Sequence, residues 1–320
     1  MPVTRVLLTE PALAPMAGQL AARLPADVEV VHLASFDDDE LRRLGADATI
    51  VVNFRRPIDA AVLAMLPKLR FIQLAGIGTN TVDRAAAAEA GVIVAYNPGV
   101  NAVGTAEHTI MLMLALIKRM PASERQTRSG LFAPGDVIAA GIDDLAGATV
   151  GIVGMGSIGR AVAERLQPFE VHLVYRSRHP VPEVESRYGA RQLSLDELLA
   201  ASDIVSLHVP LTPETQHIVG RPQLALMMPG SYLVNAGRGG LVDEVALRAA
   251  ILDGHLAGAA LDVLEQENEG TNPFADLANV IVTPHVGGGS RASMAAIIDR
   301  CAANIRRFLA GEPVHDLVVD

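Results

Sequence analysis

Short runs of branched aliphatic residues alternate with longer stretches rich in Ala and Leu, and the alternation starts at the first residues. Val3–Leu8, Val28–Leu33, Thr49–Val52, Arg70–Leu74 and Val92–Ala95 read as strands, with helices between them over Pro11–Arg23, Asp39–Leu44, Asp59–Leu66 and Val82–Ala90. This order predicts an α/β fold, a parallel sheet with helices on its faces. The turn Asn97-Pro98-Gly99 precedes a long apolar helix, about Ala102–Arg119, and Thr127–Ala148 reads as polar and irregular. A second series starts at Thr149. Its strands are Thr149–Val153, Val171–Tyr175, Ile204–His208, Ser231–Asn235, Ala257–Leu261 and Val280–Thr283, as a six-stranded doubly wound sheet requires. The tail Arg291–Leu309 reads as a helix with one apolar face, behind Gly287-Gly288-Gly289. We expect it to return to the first domain. The expected division is residues 1–100 with 287–320 in one doubly wound domain and 101–286 in the other.

Composition narrows this picture. Half of the 320 residues are hydrophobic and only 3% are aromatic, so the apolar volume comes from Ala, Val, Leu and Ile, which suits helices packed on parallel strands. A net charge of −10 argues against a nucleic-acid partner, because phosphate neutralisation needs clustered Lys and Arg. One cysteine, Cys301, excludes an intrachain disulfide and a Cys-rich metal site, and no metal is expected. The first apolar run is broken by Thr9, Glu10 and Pro11, unlike a signal peptide, and Ile110–Ile117 is far short of a membrane span. A cytoplasmic protein with no membrane partner is the expectation.

The most informative segment is Gly154-Met155-Gly156-Ser157-Ile158-Gly159, between a strand and a helix. Gly154 permits a tight turn, Gly156 lets a pyrophosphate approach the backbone, and Gly159 lets the helix pack on the strand. The helix amino terminus then offers N–H groups to the phosphates. About twenty residues on, an acidic residue would hold a ribose 2′-hydroxyl. Val171–Pro182 contains none and offers Arg176, Ser177 and Arg178 instead. Guanidinium groups suit a 2′-phosphate, so NADP(H) is the expected cofactor and NAD(H) the alternative.

Three later strands end in polar residues. Arg238 stands among small residues, fit to grip a carboxylate and polarise a carbonyl. Ala260–Glu267 is acidic, and His285 stands at a strand end before glycines. Histidine is the natural proton donor near neutral pH, and a carboxylate beside it orients it.

The chain resembles the D-isomer-specific 2-hydroxyacid dehydrogenases over nearly its full length. The likeness rests on Gly76–Asp83, Asn97–Asn101, Ala106–His108, the glycine motif, His208–Thr215, Asn235–Gly240, Val242–Glu244, Leu261–Val263 and Thr283–His285. It implies a flavodoxin-like substrate (catalytic) domain and a Rossmann NAD(P)-binding domain. It implies that Arg238 binds and polarises a 2-keto acid, that His285 is the general acid/base, and that Glu267 is its partner, with Glu265 as the alternative. Asn268 stands where the family usually has Pro. Substrate contacts are implied for the N–H groups of Gly76, Ile77 and Gly78 and for Phe54 and Arg55. Cofactor contacts are implied for Thr105, His208, Val209, Pro210, Thr215, Ala236, Gly237, Asp262 and Gly287, with a strand-end cap as the other reading of Asp262.

The closest type is an NADP-preferring glyoxylate or hydroxypyruvate reductase, a homodimer acting on a small anionic 2-keto or 2-hydroxy acid. The dimer contacts are expected on the helix from Ala102 and the arm after Thr127. The alternatives are another acid (branched or aromatic keto acid, phosphoglycerate, phosphite) or a non-catalytic nucleotide-sensing corepressor.

Overall fold

The computed structural model describes residues 4–267 and 270–318. Asn268 lies outside the described residues. The chain divides into two compact units, one running to Asn101 and resuming at Arg291, the other Ala102–Ser290.

In the first unit, β1 (Thr4–Leu8), β2 (Val28–His32), β3 (Ala48–Asn53), β4 (Phe71–Leu74) and β5 (Ile93–Ala95) form one parallel sheet. Their order is β2-β1-β3-β4-β5, the flavodoxin-like arrangement. Side chains alternate across a strand, so each strand feeds two cores. Val6, Leu8, Ile50, Val52 and Phe71 pack with Ile297, Ile298, Cys301 and Ile305 of the helix Arg291–Leu309. Leu7, Val51, Ile72 and Leu74 pack on the other face with Leu41, Leu63 and Leu66. Because both faces are covered, β3 and β4 are apolar runs and not alternating ones. Asp37, Asp59 and Asp83 each cap a helix by accepting a backbone N–H, worth about 1 kcal/mol apiece.

The second unit holds β6 (Thr149–Val153), β7 (His172–Arg176), β8 (Arg191–Gln192), β9 (Ile204–Leu207), β10 (Tyr232–Asn235), β11 (Gly258–Leu261) and β12 (Val280–Val282). All pairs are parallel, in the order β12-β11-β10-β9-β6-β7-β8. This is the Rossmann order with an added edge strand. The sheet has seven strands where six were expected, because the two-residue β8 is too short to leave a periodic signal. Helix Ala102–Ile117 is buried along most of its length and packs on helix Ser157–Leu166 and on β10, β11 and β12.

Two expectations change here. The stretch Thr127–Ala148 is not irregular throughout, and a helix before it runs into its start. Arg119 adopts left-handed backbone (φ 48°), a helix follows over Met120–Arg128, and another covers Pro134–Ala139 with proline in its first turn. Residues 287–290, expected with the first domain, belong to the second unit, and the physical reason is Asp262, whose carboxylate accepts the N–H groups of Val286 (3.0 Å) and Gly287 (2.8 Å). No helix among the described residues is long and apolar enough to cross a membrane.

Candidate active site

The glycine turn is built by close backbone approach. Gly154 has φ 104°, and a Cβ there would lie 2.7 Å from the His208 carbonyl carbon. A Cβ on Gly159 would lie 2.1 Å from the Gly154 oxygen. Around Gly156 the situation is the opposite: nothing stands within 4 Å of its Cβ position, and Gly156 begins helix Ser157–Leu166 with no side chain capping it. The first N–H groups of a ten-residue helix therefore face open space beside a side-chain-free residue, a setting that fits a pyrophosphate. Ser157 is exposed and Ile158 half-buried. The Met155 side chain is 4% exposed and packs in the core, so only its backbone is available to a ligand.

Beyond β7, Arg176 donates through Nη1 to the Ser177 carbonyl, which also accepts from Gln192 Nε2 at 3.0 Å. Arg178 is exposed, and its charge acts on the Glu214 carboxylate. Across the turn, Thr215 Oγ1 donates to the Pro210 carbonyl (2.6 Å) and accepts from Thr212 N (2.8 Å). Thr215 thus shapes the loop carrying Val209 and Pro210. His208 shares a 2.8 Å hydrogen bond between Nε2 and Ser206 Oγ, while its enclosed Nδ1 has no partner. Burial pushes this ring down to about 4, so it is neutral near pH 7. Thr105 is also buried with its hydroxyl unpartnered.

Arg238 follows β10 on a turn clamped by Asn235, a residue whose part in the site no spacing rule reveals. Asn235 Oδ1 accepts the Gly237 N–H (3.0 Å), and Asn235 Nδ2 donates to the Arg238 carbonyl (2.9 Å). Arg238 Nη1 donates to the Gly237 carbonyl at 2.8 Å. Ala236 is buried beside it. Gly239 seats this turn against the next loop, since a Cβ there would lie 2.0 Å from the Leu264 carbonyl carbon. Burial lowers the Arg238 guanidinium from its ordinary value, and the Glu267 carboxylate opposes that shift.

That same loop carries two acids, each against a different histidine. Glu267 Oε2 lies 2.8 Å from His285 Nδ1. Glu265 instead bonds His217 Nε2, and its own N–H donates to Glu244 Oε1 at 2.8 Å. His285 stands in left-handed backbone (φ 54°), held by its N–H donating to the Asp262 carbonyl at 2.8 Å. Asp262 is 2% exposed and its carboxylate is heavily used, with donors from Thr283 Oγ1 (2.6 Å), Val286 N, Gly287 N and, within 3.2 Å, His108 Nε2. Burial pushes Asp262 up, but the hydrogen bonds from His108, Thr283, Gly287 and Val286 outweigh it, and its carboxyl titrates below the ordinary value. Asp262 grips 285, 286 and 287 in succession, as a strand-end cap does. His108 and Thr283, which bond each other at 3.0 Å, complete that grip. The sequence marks both residues, in Ala106–His108 and Thr283–His285, but not that they meet at Asp262.

In the first unit, the loop after β4 exposes backbone donors. Among the described residues, none accepts from the N–H groups of Gly76, Ile77 or Gly78, which leaves three successive donors for a ligand. The Phe54 ring edge approaches 3.3 Å from where a Gly76 Cβ would be, so glycine keeps this wall open. Phe54 and Arg55 follow β3. Glu10, which carries no motif of its own, organises them by accepting the N–H groups of Phe54, Arg55 and Arg56.

A Rossmann sheet with an uncapped helix start behind a glycine turn defines a dinucleotide-binding α/β protein. Residues 110–287 match the family described as D-isomer specific 2-hydroxyacid dehydrogenase, NAD binding domain, and the chain belongs to that family. It is 38% identical to a D-3-phosphoglycerate dehydrogenase of Mycobacterium tuberculosis across 95% of this chain, and it spans only 57% of that relative's length. It is 35% identical to a glyoxylate reductase of Thermococcus litoralis, over 88% of this chain and 85% of the relative. Among solved structures, a glyoxylate reductase from Paecilomyes thermophila superposes with a TM-score of 0.85 at 29% identity, covering 99% of both chains.

Proposed function

We propose that the chain catalyses NADPH-dependent reduction of a small 2-keto acid of the glyoxylate or hydroxypyruvate type to the D-2-hydroxy acid, and the reverse. The observation that carries this reading is the 2.8 Å His285–Glu267 pair, with the same carboxylate acting on Arg238. When bound, the nicotinamide would supply or accept the hydride. Arg238 would bind the substrate carboxylate and polarise the C2 carbonyl, as a guanidinium does through paired, charge-assisted bonds. The Gly76–Gly78 amides of the first unit would offer donors to an anionic substrate. With Nδ1 against Glu267, His285 would protonate the developing alkoxide through Nε2, and Glu267 would stabilise the imidazolium. Gly154, Gly156, Gly159 and the start of helix Ser157–Leu166 would hold the pyrophosphate. Arg176 and Arg178 would take a 2′-phosphate, and Thr105, Ala236 and Gly287 would line the nicotinamide end.

Initial rates with NADPH and NADH against glyoxylate, hydroxypyruvate, pyruvate and phenylpyruvate test this directly. We expect NADPH to be favoured and Arg178→Asp to reverse the preference. We expect His285→Ala and Arg238→Gln each to lower kcat by about a thousandfold while NADPH still binds. Unchanged turnover would refute the assignment of these residues, and NADPH binding without turnover of any acid would favour a sensor. A homodimer is part of the proposal. Phe132 (86% exposed) and Ile138 (66%) are apolar side chains on the arm expected to form its contact, and light scattering reads the mass.

A further inference from the structure

By composition alone, the loop after β3 is basic, with Arg55 and Arg56 side by side. The structure makes it neutral. Arg56 is 4% exposed and gives Nη2 to Asp38 Oδ1 at 2.8 Å and to the Phe36 carbonyl at 2.9 Å. Arg55 gives Nε to Glu10 Oε2 at 3.3 Å. Glu10 is fully buried, and its other oxygen accepts three successive N–H groups, from Phe54 (3.2 Å), Arg55 (2.6 Å) and Arg56 (3.2 Å).

A buried carboxylate is costly unless it is matched, and these four donors match it. A neutral amide would satisfy the three N–H groups equally well through its oxygen. What the charge adds is its effect on Arg55. That side chain is 32% exposed and lies 5.7 Å over the Phe54 ring, whose edge walls the Gly76 loop. A second anion arriving at Arg55 would meet the Glu10 charge just behind the guanidinium, and the two fields would largely cancel.

We infer that Glu10 is a specificity-determining residue that offsets the charge of Arg55 by pairing with it and restricts the reaction to 2-keto acids whose side chain carries no second negative charge. This rests on the reading of 54–55 and 76–78 as substrate-binding loops. It concerns only what lies beyond C2 of the substrate.

The test compares the full-length wild type with Glu10→Gln on hydroxypyruvate and on its phosphate ester, 3-phosphohydroxypyruvate. We expect the wild type to favour the unphosphorylated acid in kcat/KM. In Glu10→Gln the ratio moves toward the phosphorylated acid by about tenfold, mainly through KM. Asp299→Asn removes one negative charge from an exposed pair with Arg23 in the same unit, and it leaves the ratio where it was. If Glu10→Gln does not fold, Arg55→Gln decides: it uncovers the Glu10 charge and moves the ratio several-fold away from the phosphorylated acid. A wild type that prefers the phosphorylated acid, or a ratio unmoved in the folded variant, overturns this inference and leaves the proposed reaction standing. No turnover of either acid overturns both.

Discussion

The two units solve the same problem by different means. Each must fix loops at the carboxyl ends of a parallel sheet, where ligands of such sheets bind. The second unit adds subtraction to the side-chain grips of Asn235 and Asp262. Gly154, Gly159 and Gly239 bring backbones together where a single Cβ would overlap a neighbouring main chain at 2.0 to 2.7 Å. The first unit does it by addition. Buried Thr9, Glu10, Asn53, Gln73 and Asn97 tie loop to loop through side-chain hydrogen bonds. Subtraction gives positions that tolerate no change, whereas addition distributes the task over several bonds that are lost one at a time. Both units match a buried carboxylate with four donors, Glu10 in the first and Asp262 in the second, while His208 stays neutral with one nitrogen unpartnered.

The sharpest way to break this contrast is Gly239→Ala. The new methyl would meet the Leu264 backbone, so the Arg238 turn must move relative to the loop of Glu267. A displacement of about 1 Å costs on the order of a hundredfold in kcat/KM, and overpacking costs about 1–3 kcal/mol of stability by denaturant titration. Retained activity would show that the turn has slack.

The next effect is on stability against pH. The folded His208 ring titrates at about 4 and the free one at 6.5, so the unfolded chain binds this proton first as the pH falls. Stability is therefore intact above 6.5 and declines by roughly 3 kcal/mol on the way down to 4. His208→Asn should flatten that part of the profile, and parallel profiles for the two proteins would exclude the ring as the cause.

The smallest effect falls in the first unit. Asn97 donates to the Ala75 carbonyl (3.1 Å) and accepts from Gln73 Nε2 (3.2 Å). Asn97→Ala should lower stability by about 2 kcal/mol with the fold intact, read as a drop in Tm. A collapse of the unit would mean its polar ties are as indispensable as the glycines.

The same contrast explains what is legible in the sequence. Glycine spacing is a local pattern, so the dinucleotide turn, Arg238 and His285 stand out from the order of residues alone. The ends of the strands are readable to within a residue or two because fully buried parallel strands are unbroken apolar runs. Asn235 lies in a matched motif and bonds its near neighbours Gly237 and Arg238, so its position is marked in the sequence though its bonds are not. The roles of Glu10 and His108 are not legible, because each acts on a segment that the chain brings to it only by folding: Glu10 on residues 54–56 and His108 on Asp262. Nor is β8, which has only two residues. The choice between Glu265 and Glu267 needs the fold, since both lie within reach of a histidine and only geometry pairs each with its own.

His285 occupies backbone that glycine or asparagine adopts more comfortably than histidine does. Selection for folding alone would therefore let the imidazole drift away at that codon, toward a protein at least as stable and without the proposed proton donor. The persistence of a histidine against this bias would record continuous demand for turnover. In a lineage freed from that demand, this is among the first positions at which the proposed activity would decay, leaving a scaffold of the same fold.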